Sequence, residues 1–151
     1  MVDIVDKATR SKMMSGIKSK NTKPELMTRT ALHKLGYRYN LNTKVCGIKP
    51  DIVLVKYKVA IFVHGCYWHK HEGCKLAYSN REYSSYLIDK FQANKARDRK
   101  QEQLLHENSW RIAIIWECTT RNNEEFIKSI KDLNSWIKKS DLDFYETTYK
   151  A

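Results

Sequence analysis

The sequence predicts an α/β protein in which one mixed sheet lies between helices. Two continuous apolar runs, at residues 52–55 and 59–63, flank a short charged turn, and a third run occupies residues 112–116. Continuous apolar runs of this length are typical of strands that are covered on both faces. The surrounding segments repeat apolar residues at helical spacing, so helices are expected before, between and after the strands.

The predicted elements follow in the order helix, three strands, helix, strand, helix. The first helix begins at Pro24, which suits the first helical position, and ends at Gly36. Apolar and polar residues alternate over residues 37–41 and predict a half-buried strand, and the first two apolar runs predict an antiparallel hairpin. Further helices are predicted over residues 81–107 and 123–139, on either side of the third apolar run.

The long middle helix has one unusual side. Steps of three and four residues place on it Tyr83, Leu87, Phe91, Asn94, Asp98, Gln101 and Leu105. This side is apolar at both ends and polar in the middle. The polar residues either lie in solvent, where the helix overhangs the core, or face a polar cleft. Because five lysines and arginines surround them, a cleft for an anionic substrate is favoured.

The charge of the chain indicates a polyanionic partner. Lys and Arg number 28 against 17 Asp and Glu, which gives a net charge of +11 over 151 residues, the length of one domain. Nucleic acid is the usual partner for such an excess, although a solvated basic surface is the alternative. No apolar run approaches the roughly 20 residues that span a bilayer, and residues 1–20 lack the apolar segment of a signal peptide. We expect a cytoplasmic, nucleoid-associated protein with no membrane contact and, without a heptad seam, a monomer.

Three regions are expected along the chain. Residues 1–20 carry several basic side chains around few apolar positions, so they are expected to form a basic N-terminal arm. Residues 21–140 hold every predicted helix and strand. Residues 141–151 are expected to form a C-terminal tail.

The loop after the second apolar run holds three histidines and two cysteines within residues 63–74. Imidazole and thiolate are the ligands that zinc prefers, and four protein ligands make a closed, structural site. The candidate ligands are Cys66, Cys74, Cys118 and either His69 or His71, between which spacing does not choose. Without a signal peptide, such a cluster indicates a metal rather than disulfides. Simple burial of the three thiols is the alternative, and Cys46 is expected to be an ordinary core or loop thiol.

A second cluster of oxygen and imidazole ligands is expected nearby. Asp51 opens the first strand of the hairpin and is a candidate magnesium ligand, although an Asp in this position also commonly caps a strand. The next strand delivers His64 and His69 to the same region, where one histidine would deprotonate water and the other would support a phosphate. Glu25 and Asp98 are further carboxylates within reach of such a site, while each alone is typical of a surface charge.

Tyr67 and Trp68 are adjacent aromatic residues on the same loop. Neighbours on an extended loop do not readily bury in one core. The pair either inserts between base steps of a duplex, as in DNA-bending proteins, or packs against the zinc loop. The sequence leaves both alternatives open.

Five blocks of sequence together resemble the very-short-patch repair (Vsr) endonucleases. They are residues 6–12, 49–51, 62–69, 97–99 and 116–118, within a resemblance that runs from about Asp3 to the last helix. The resemblance implies a restriction-endonuclease-like fold, with residues 21–140 as the endonuclease domain. It also implies nicking of double-stranded DNA on the 5′ side of the thymine in a T:G mismatch left by deamination of 5-methylcytosine. A mismatch-repair protein is a candidate partner.

The resemblance implies a catalytic magnesium and a structural zinc. Magnesium would be held by the side chain of Asp51 and the backbone carbonyl of Val63, with Glu25 holding metal-bound water. His69 would be the general base and Asp98 its orienting partner. The zinc ligands that the resemblance implies are Cys66, His71, Cys74 and Cys118.

The same resemblance implies the DNA contacts. Tyr67 and Trp68 would intercalate, and Lys90 and Asn94 would lie near the mismatch. The third aromatic wedge of the family aligns with Leu87, which still wedges a base step but loses base–aromatic stacking, worth about 1–3 kcal/mol per base.

Two further positions depart from related nucleases. His64, which would lie against the scissile phosphate, stands where most restriction-type nucleases have a lysine, as it does throughout the Vsr family. One extra residue separates His71 from Cys74. The Leu87 change affects the selectivity of mismatch recognition rather than hydrolysis, and it leaves nicking without a mismatch requirement as one rival. A zinc-stabilised DNA-binding module without catalysis is a second rival, which does not depend on Leu87.

Overall fold

A computed structural model of the chain describes residues 22–77 and 83–151. In this described part of the chain, four strands form one mixed sheet in the order β1–β2–β3–β4. They are β1 (Ile52–Leu54), β2 (Val59–His64), β3 (Arg111–Trp116) and β4 (Phe144–Glu146). β1 pairs antiparallel with β2, whereas β2 and β3, and β3 and β4, pair in parallel. The predicted mixed α/β sheet and its hairpin are therefore confirmed.

Within residues 22–77 and 83–151, four α-helices accompany the sheet. They are α1 (Lys23–Lys34), α2 (Ser85–Glu107), the single turn α3 (Glu117–Thr120) and α4 (Asn123–Lys139). The three longer helices begin after Thr22, Ser84 and Asn122, whose side chains each accept a hydrogen bond from a backbone N–H of the first turn. After α1, Gly36 has a φ of 92°, the left-handed conformation that commonly ends a helix.

The sheet separates two apolar layers. On one face, side chains of β2 and β3 such as Ile61 and Ile115 pack with α1 and α4. On the other face, the alternate residues Phe62 and Ile114 pack with Leu105 of α2 and with the cysteine-rich loop that follows β2. β2 and β3 are covered on both faces, as their continuous apolar sequences predict.

The strand predicted over residues 37–41 is wrong. The segment makes one isolated bridge, in which Asn40 and Val53 exchange backbone hydrogen bonds of 2.9 and 3.0 Å. Asn42 then adopts a φ of 55°, which turns the chain away from β1 before a second pair forms. Alternation of apolar residues thus reflected partial burial rather than pairing.

Two further segments differ from expectation. α2 begins at Ser85, because the Ser84 hydroxyl accepts the Leu87 N–H at 3.3 Å and caps the helix there; residues 81–82 lie outside the described residues. The segment expected as a C-terminal tail contributes β4 to the sheet edge beside β3. The expected N-terminal arm, residues 1–20, also lies outside the described residues.

Within residues 22–77 and 83–151, no helix has the length and apolar content needed to cross a bilayer.

Candidate active site and metal centre

The loop after β2 and the turn after β3 meet at one edge of the sheet. His64, the last residue of β2, pairs with Trp116, the last residue of β3. Parallel strands end at the same edge, so residues that follow them in sequence become neighbours in space. Two clusters of titratable side chains form there, one polar and partly exposed, the other buried.

The polar cluster contains His64, His69 and Asp98. Asp98 Oδ2 lies 2.6 Å from His69 Nδ1, and the ring of His64 stacks on that of His69 with centroids 3.9 Å apart and an interplanar angle of 2°. Burial, followed by the neighbouring His69, lowers the pKa of His64 to about 3, so His64 is neutral at physiological pH. Asp98 on α2 faces this cluster, which supports the polar-cleft interpretation of the helix.

His69 has the arrangement of a general base. A carboxylate that accepts the Nδ1–H of an imidazole leaves the Nε2 lone pair available and stabilises the imidazolium that forms when Nε2 takes a proton. Asp98 occupies that carboxylate position. The cluster can therefore accept a proton at one defined nitrogen.

Two acidic side chains lie beside this cluster. Asp51 Oδ2 accepts the backbone N–H of Val63 at 2.7 Å. Burial raises the pKa of Asp51 to about 6, although the hydrogen bond from Val63 acts in the opposite direction. Repulsion from Glu25 also raises the pKa, whereas His69 and Arg29 lower it. Glu25 on α1 is 4 % exposed and lies 3.3 Å from the Arg29 guanidinium. Asp51 therefore lies within electrostatic range of both Glu25 and His69.

This acidic pair fits a divalent cation. Carboxylate and backbone carbonyl oxygens are the ligands that magnesium prefers, and the mutual repulsion of two neighbouring carboxylates is relieved by a cation between them. Asp51, Glu25 and the backbone of Val63 supply such oxygens at the end of β2. A cleft of about 650 Å³ opens beside Glu25 and Val63, and its walls also include His64, His69, Trp68 and Lys90.

The buried cluster contains Cys66, His71, Cys74 and Cys118, whose ligand atoms all lie within 4.8 Å of one another. His71 Nδ1 lies 3.6 Å from the sulfur of Cys66 and 3.4 Å from that of Cys118. Zinc–sulfur and zinc–nitrogen bonds of ordinary length subtend a tetrahedral S···N edge of about 3.5 Å. The donor set and its spacing thus fit a closed zinc site, and His71 rather than His69 belongs to it.

Trp116 separates the two clusters, and sequence reasoning had not assigned it a role. Its ring stacks on His71 at 4.1 Å and meets the edge of His64 at 5.2 Å. The indole N–H donates to Glu146 Oε1 of β4 at 2.6 Å. Only the position of Trp116 at the last residue of a buried strand signals this role in the sequence.

The two adjacent aromatic residues are in different environments. Tyr67 is half-buried and packs edge-on against Phe91 at 5.2 Å. Trp68 is 44 % exposed, with the Lys90 ammonium 4.8 Å above its ring. Of the other expected DNA contacts, Asn94 is buried and donates to the Trp68 carbonyl at 3.1 Å, while Leu87 is half-buried in the first turn of α2. Cys46 is an exposed loop thiol.

The architecture is that of an endonuclease catalytic domain. It is similar to the catalytic domain of the homing endonuclease I-Bth0305I, with a TM-score of 0.52, 19% sequence identity and coverage of 78% of this chain and 96% of that one. This similarity confirms the endonuclease-like fold.

Sequence comparisons give the particular family. A sequence model of the family described as "DNA mismatch endonuclease Vsr" matches residues 2–75. The type II nicking enzyme V.XorIIP of Xanthomonas oryzae is 39% identical over 118 residues, covering 78% of this chain and 86% of the relative. The DNA mismatch endonuclease Vsr of Escherichia coli is 34% identical over 139 residues, covering 91% of this chain and 88% of the relative. The chain belongs to the Vsr family of DNA endonucleases.

A third relative extends the comparison. The type II nicking enzyme V.NmeAIP of Neisseria meningitidis is 36% identical over 139 residues, covering 87% of this chain and 99% of the relative. The chain thus spans most of the length of one relative named for mismatch cleavage and of two relatives named for nicking. A DNA substrate follows from the family.

Proposed function

We propose that this protein is a magnesium-dependent DNA endonuclease that nicks one strand of a duplex 5′ to the thymine of a T:G mismatch. The observation that carries the proposal is the His69–Asp98 pair, 2.6 Å apart, at a cleft lined by His69 and the buried Glu25, with the partly buried Asp51 within electrostatic range of both. The net charge of +11 suits a polyanionic substrate. Family membership supports DNA as that substrate.

The histidine pair divides the proton chemistry. His69 Nε2 takes a proton from the attacking water, and Asp98 holds the ring in place and stabilises the resulting imidazolium. His64 is kept neutral by burial and stacks on His69, so it contacts a phosphate oxygen without placing a second positive charge beside the base. The water oxygen bonds to phosphorus as the bond to the 3′ oxygen breaks.

Asp51 and the Val63 carbonyl would hold magnesium, with Glu25 beside it. Bound there, the ion would supply charge stabilisation to the scissile phosphate and the departing 3′ oxygen. The chain itself keeps Asp51 aligned through the Val63 N–H. Cys66, His71, Cys74 and Cys118 would hold the structural zinc that ties the loop after β2 to the end of β3.

Trp68 is the proposed wedge into the base stack, because its ring is exposed above the cleft. Lys90 over that ring would meet the backbone, and Asn94 would fix the Trp68 backbone near the mismatch. Tyr67 is proposed to support this contact and Leu87 to wedge an adjacent step. The exposure of Trp68 favours it as the main wedge among these residues.

A nicking assay on T:G and fully paired duplexes, with magnesium or with a chelator, tests the proposal. We expect nicking of the T:G duplex only, only with magnesium, and its loss in Asp51→Ala. Asp141→Ala removes an exposed carboxylate away from the cleft and is the matched control. Nicking that survives both the chelator and Asp51→Ala would refute the metal assignment.

Nicking without strict mismatch dependence is the second candidate. It is favoured by Leu87, an aliphatic residue where an aromatic wedge is expected, and by the names of the Xanthomonas and Neisseria relatives. Equal rates on mismatched and paired duplexes would select it. A DNA-binding module without catalysis would bind both duplexes and cut neither, and it gives no reason for the His69–Asp98 pair.

A further inference from the structure

Lys70 occupies an unusual position between the two clusters. It follows His69 of the polar cluster and precedes His71 of the buried cluster, and its φ of 48° lies in the left-handed region. A non-glycine residue holds this conformation only where surrounding contacts fix it. Its ammonium makes such contacts, donating to the Ala77 carbonyl at 2.6 Å and to the Tyr83 hydroxyl at 2.9 Å.

Aromatic rings surround the same ammonium. Lys70 Nζ lies 4.5 Å from the ring centroid of Tyr67, 4.0 Å from that of Tyr83 and 3.9 Å from that of Phe91. All three distances are within the range of favourable cation–π contact. The rings also meet each other edge-on, with Phe91 5.2 Å from Tyr67 and 5.3 Å from Tyr83. These residues form an aromatic cage around a cation supplied by the protein itself.

The cage joins the loop after β2 to α2. Phe91 lies on α2, whereas Tyr67 and Lys70 lie on the loop. Fixing the ring of Tyr67 against Phe91 leaves Trp68 as the more exposed member of the aromatic pair, and its backbone is held by Asn94. The cage therefore sets the orientation of the surface proposed to meet DNA.

We propose that Lys70 is a positioning residue for DNA recognition, acting through the aromatic cage to hold Tyr67 and present Trp68 to the duplex. The inference rests on the proposed function of the cleft as a DNA site. A pre-formed recognition surface avoids the entropy cost of ordering it on binding, so loss of the cage should weaken affinity. A lysine that contacted a phosphate would also strengthen binding, but its contribution would disappear with salt.

Salt dependence separates these two roles. Binding of a T:G duplex is measured by fluorescence anisotropy in chelator, which prevents cutting, over a series of salt concentrations. We expect Lys70→Met to weaken binding about tenfold while the slope of log K against log salt stays at the parental value. Lys131→Met removes the same charge from an exposed position on α4 and serves as the control. It should change affinity by less than about twofold.

Two conservative variants complete the test. Lys70→Arg keeps a charge, donors and the capacity for cation–π contact, and should bind within about threefold of the parent. Tyr83→Phe keeps the ring but removes the hydroxyl acceptor, and should weaken binding about threefold at an unchanged slope. Zinc content and melting temperature show whether each variant is folded. If Lys70→Met does not fold, Tyr83→Phe decides the question.

Three outcomes would overturn the role of Lys70. The first is parental affinity in Lys70→Met, or in Tyr83→Phe if Lys70→Met does not fold. The second is a salt slope in Lys70→Met that is reduced by about 0.9, as for a lost phosphate contact. The third is an equal loss of affinity in Lys131→Met. Nicking by the parent protein is measured separately, with magnesium. A parent that binds the duplex but never nicks it refutes the nuclease proposal while the result for Lys70 stands.

Discussion

His69 and His71 are two residues apart and belong to sites with opposite requirements. His69 is partly exposed, 2.6 Å from a carboxylate oxygen, and opens onto a cleft. His71 is 3 % exposed, stacks on Trp116, and has sulfur atoms 3.4 and 3.6 Å from its Nδ1. A group that exchanges protons with water must remain accessible, whereas a ligand in a closed metal site must not.

The comparison shows that neighbours, rather than residue type, decide what each imidazole does. The left-handed backbone of Lys70 turns the loop between the two histidines, and Trp116 separates their rings. With Trp116 as the boundary between them, one short loop contributes residues to both clusters. Substitutions should therefore affect the two clusters separately.

The largest effect is expected at the buried cluster. Cys118→Ser removes one thiolate from a set of four buried ligands. Because apparent zinc-binding energies of structural sites reach about 10–16 kcal/mol and are coupled to folding, we expect loss of zinc and partial or complete unfolding. Metal analysis and circular dichroism measure both, with the exposed thiol variant Cys46→Ser as the matched control. Parental zinc content and stability in Cys118→Ser would contradict the zinc assignment.

At the polar cluster the expected loss is in rate rather than in folding. His69→Ala removes the proposed base, so we expect the nicking rate to fall about 10²–10⁴-fold. Zinc content and melting temperature should stay at parental values, because His69 is not part of the buried cluster. His33→Ala, at an exposed position on α1, controls for loss of a histidine. A His69→Ala protein that loses zinc would contradict the independence of the two clusters.

Trp116→Phe tests the boundary itself. Phenylalanine keeps an aromatic ring between the clusters but cannot donate to Glu146, whose oxygen now lies 2.6 Å from the indole nitrogen. Loss of that hydrogen bond should lower the free energy of unfolding by about 1–3 kcal/mol in urea titrations. Trp110→Phe, a half-buried indole on the same layer, is the control. A Trp116→Phe protein that is as stable as the parent would show that the hydrogen bond does not hold the boundary in place.

The sequence predicted the parts of this architecture that have strong local signals. β2 and β3 are long apolar runs covered on both faces, and α4 has regular helical periodicity. The density of cysteine and histidine after β2 indicated a metal loop, and the structure brings Cys66, His71 and Cys74 of that loop together with Cys118 from the turn after β3. Apart from Cys118, these features depend on residues close in sequence.

The features that sequence did not predict depend on contacts between distant residues. β4 has three residues, none buried, and is held to β3 by backbone pairing. A strand this short and exposed has no apolar pattern from which it could be predicted. The choice between His69 and His71 required the position of Asp98, 29 residues away. Likewise the cage around Lys70 forms only when α2 brings Phe91 to the loop.

The smallest predicted effect lies on the opposite layer of the core, away from both clusters. Tyr37 is 4 % exposed and donates its hydroxyl to Asn134 Oδ1 at 2.5 Å. Burial, with added repulsion from Tyr57, raises the pKa of Tyr37 from 10.0 to about 12. The folded state thus resists ionisation of this phenol. Its contribution to stability is complete below pH 10 and is lost as the pH rises towards 12.

Tyr37→Phe cannot ionise, so it isolates this contribution. At pH 8 we expect the variant to be less stable than the parent by about 0.5–1.5 kcal/mol, because the hydrogen bond to Asn134 is lost. As the pH rises from 10 to 12, only the parent loses the contribution of Tyr37, and the difference should shrink. Urea titrations of both proteins across this range measure it. A difference that stays constant from pH 10 to 12 would mean that burial does not oppose ionisation of Tyr37.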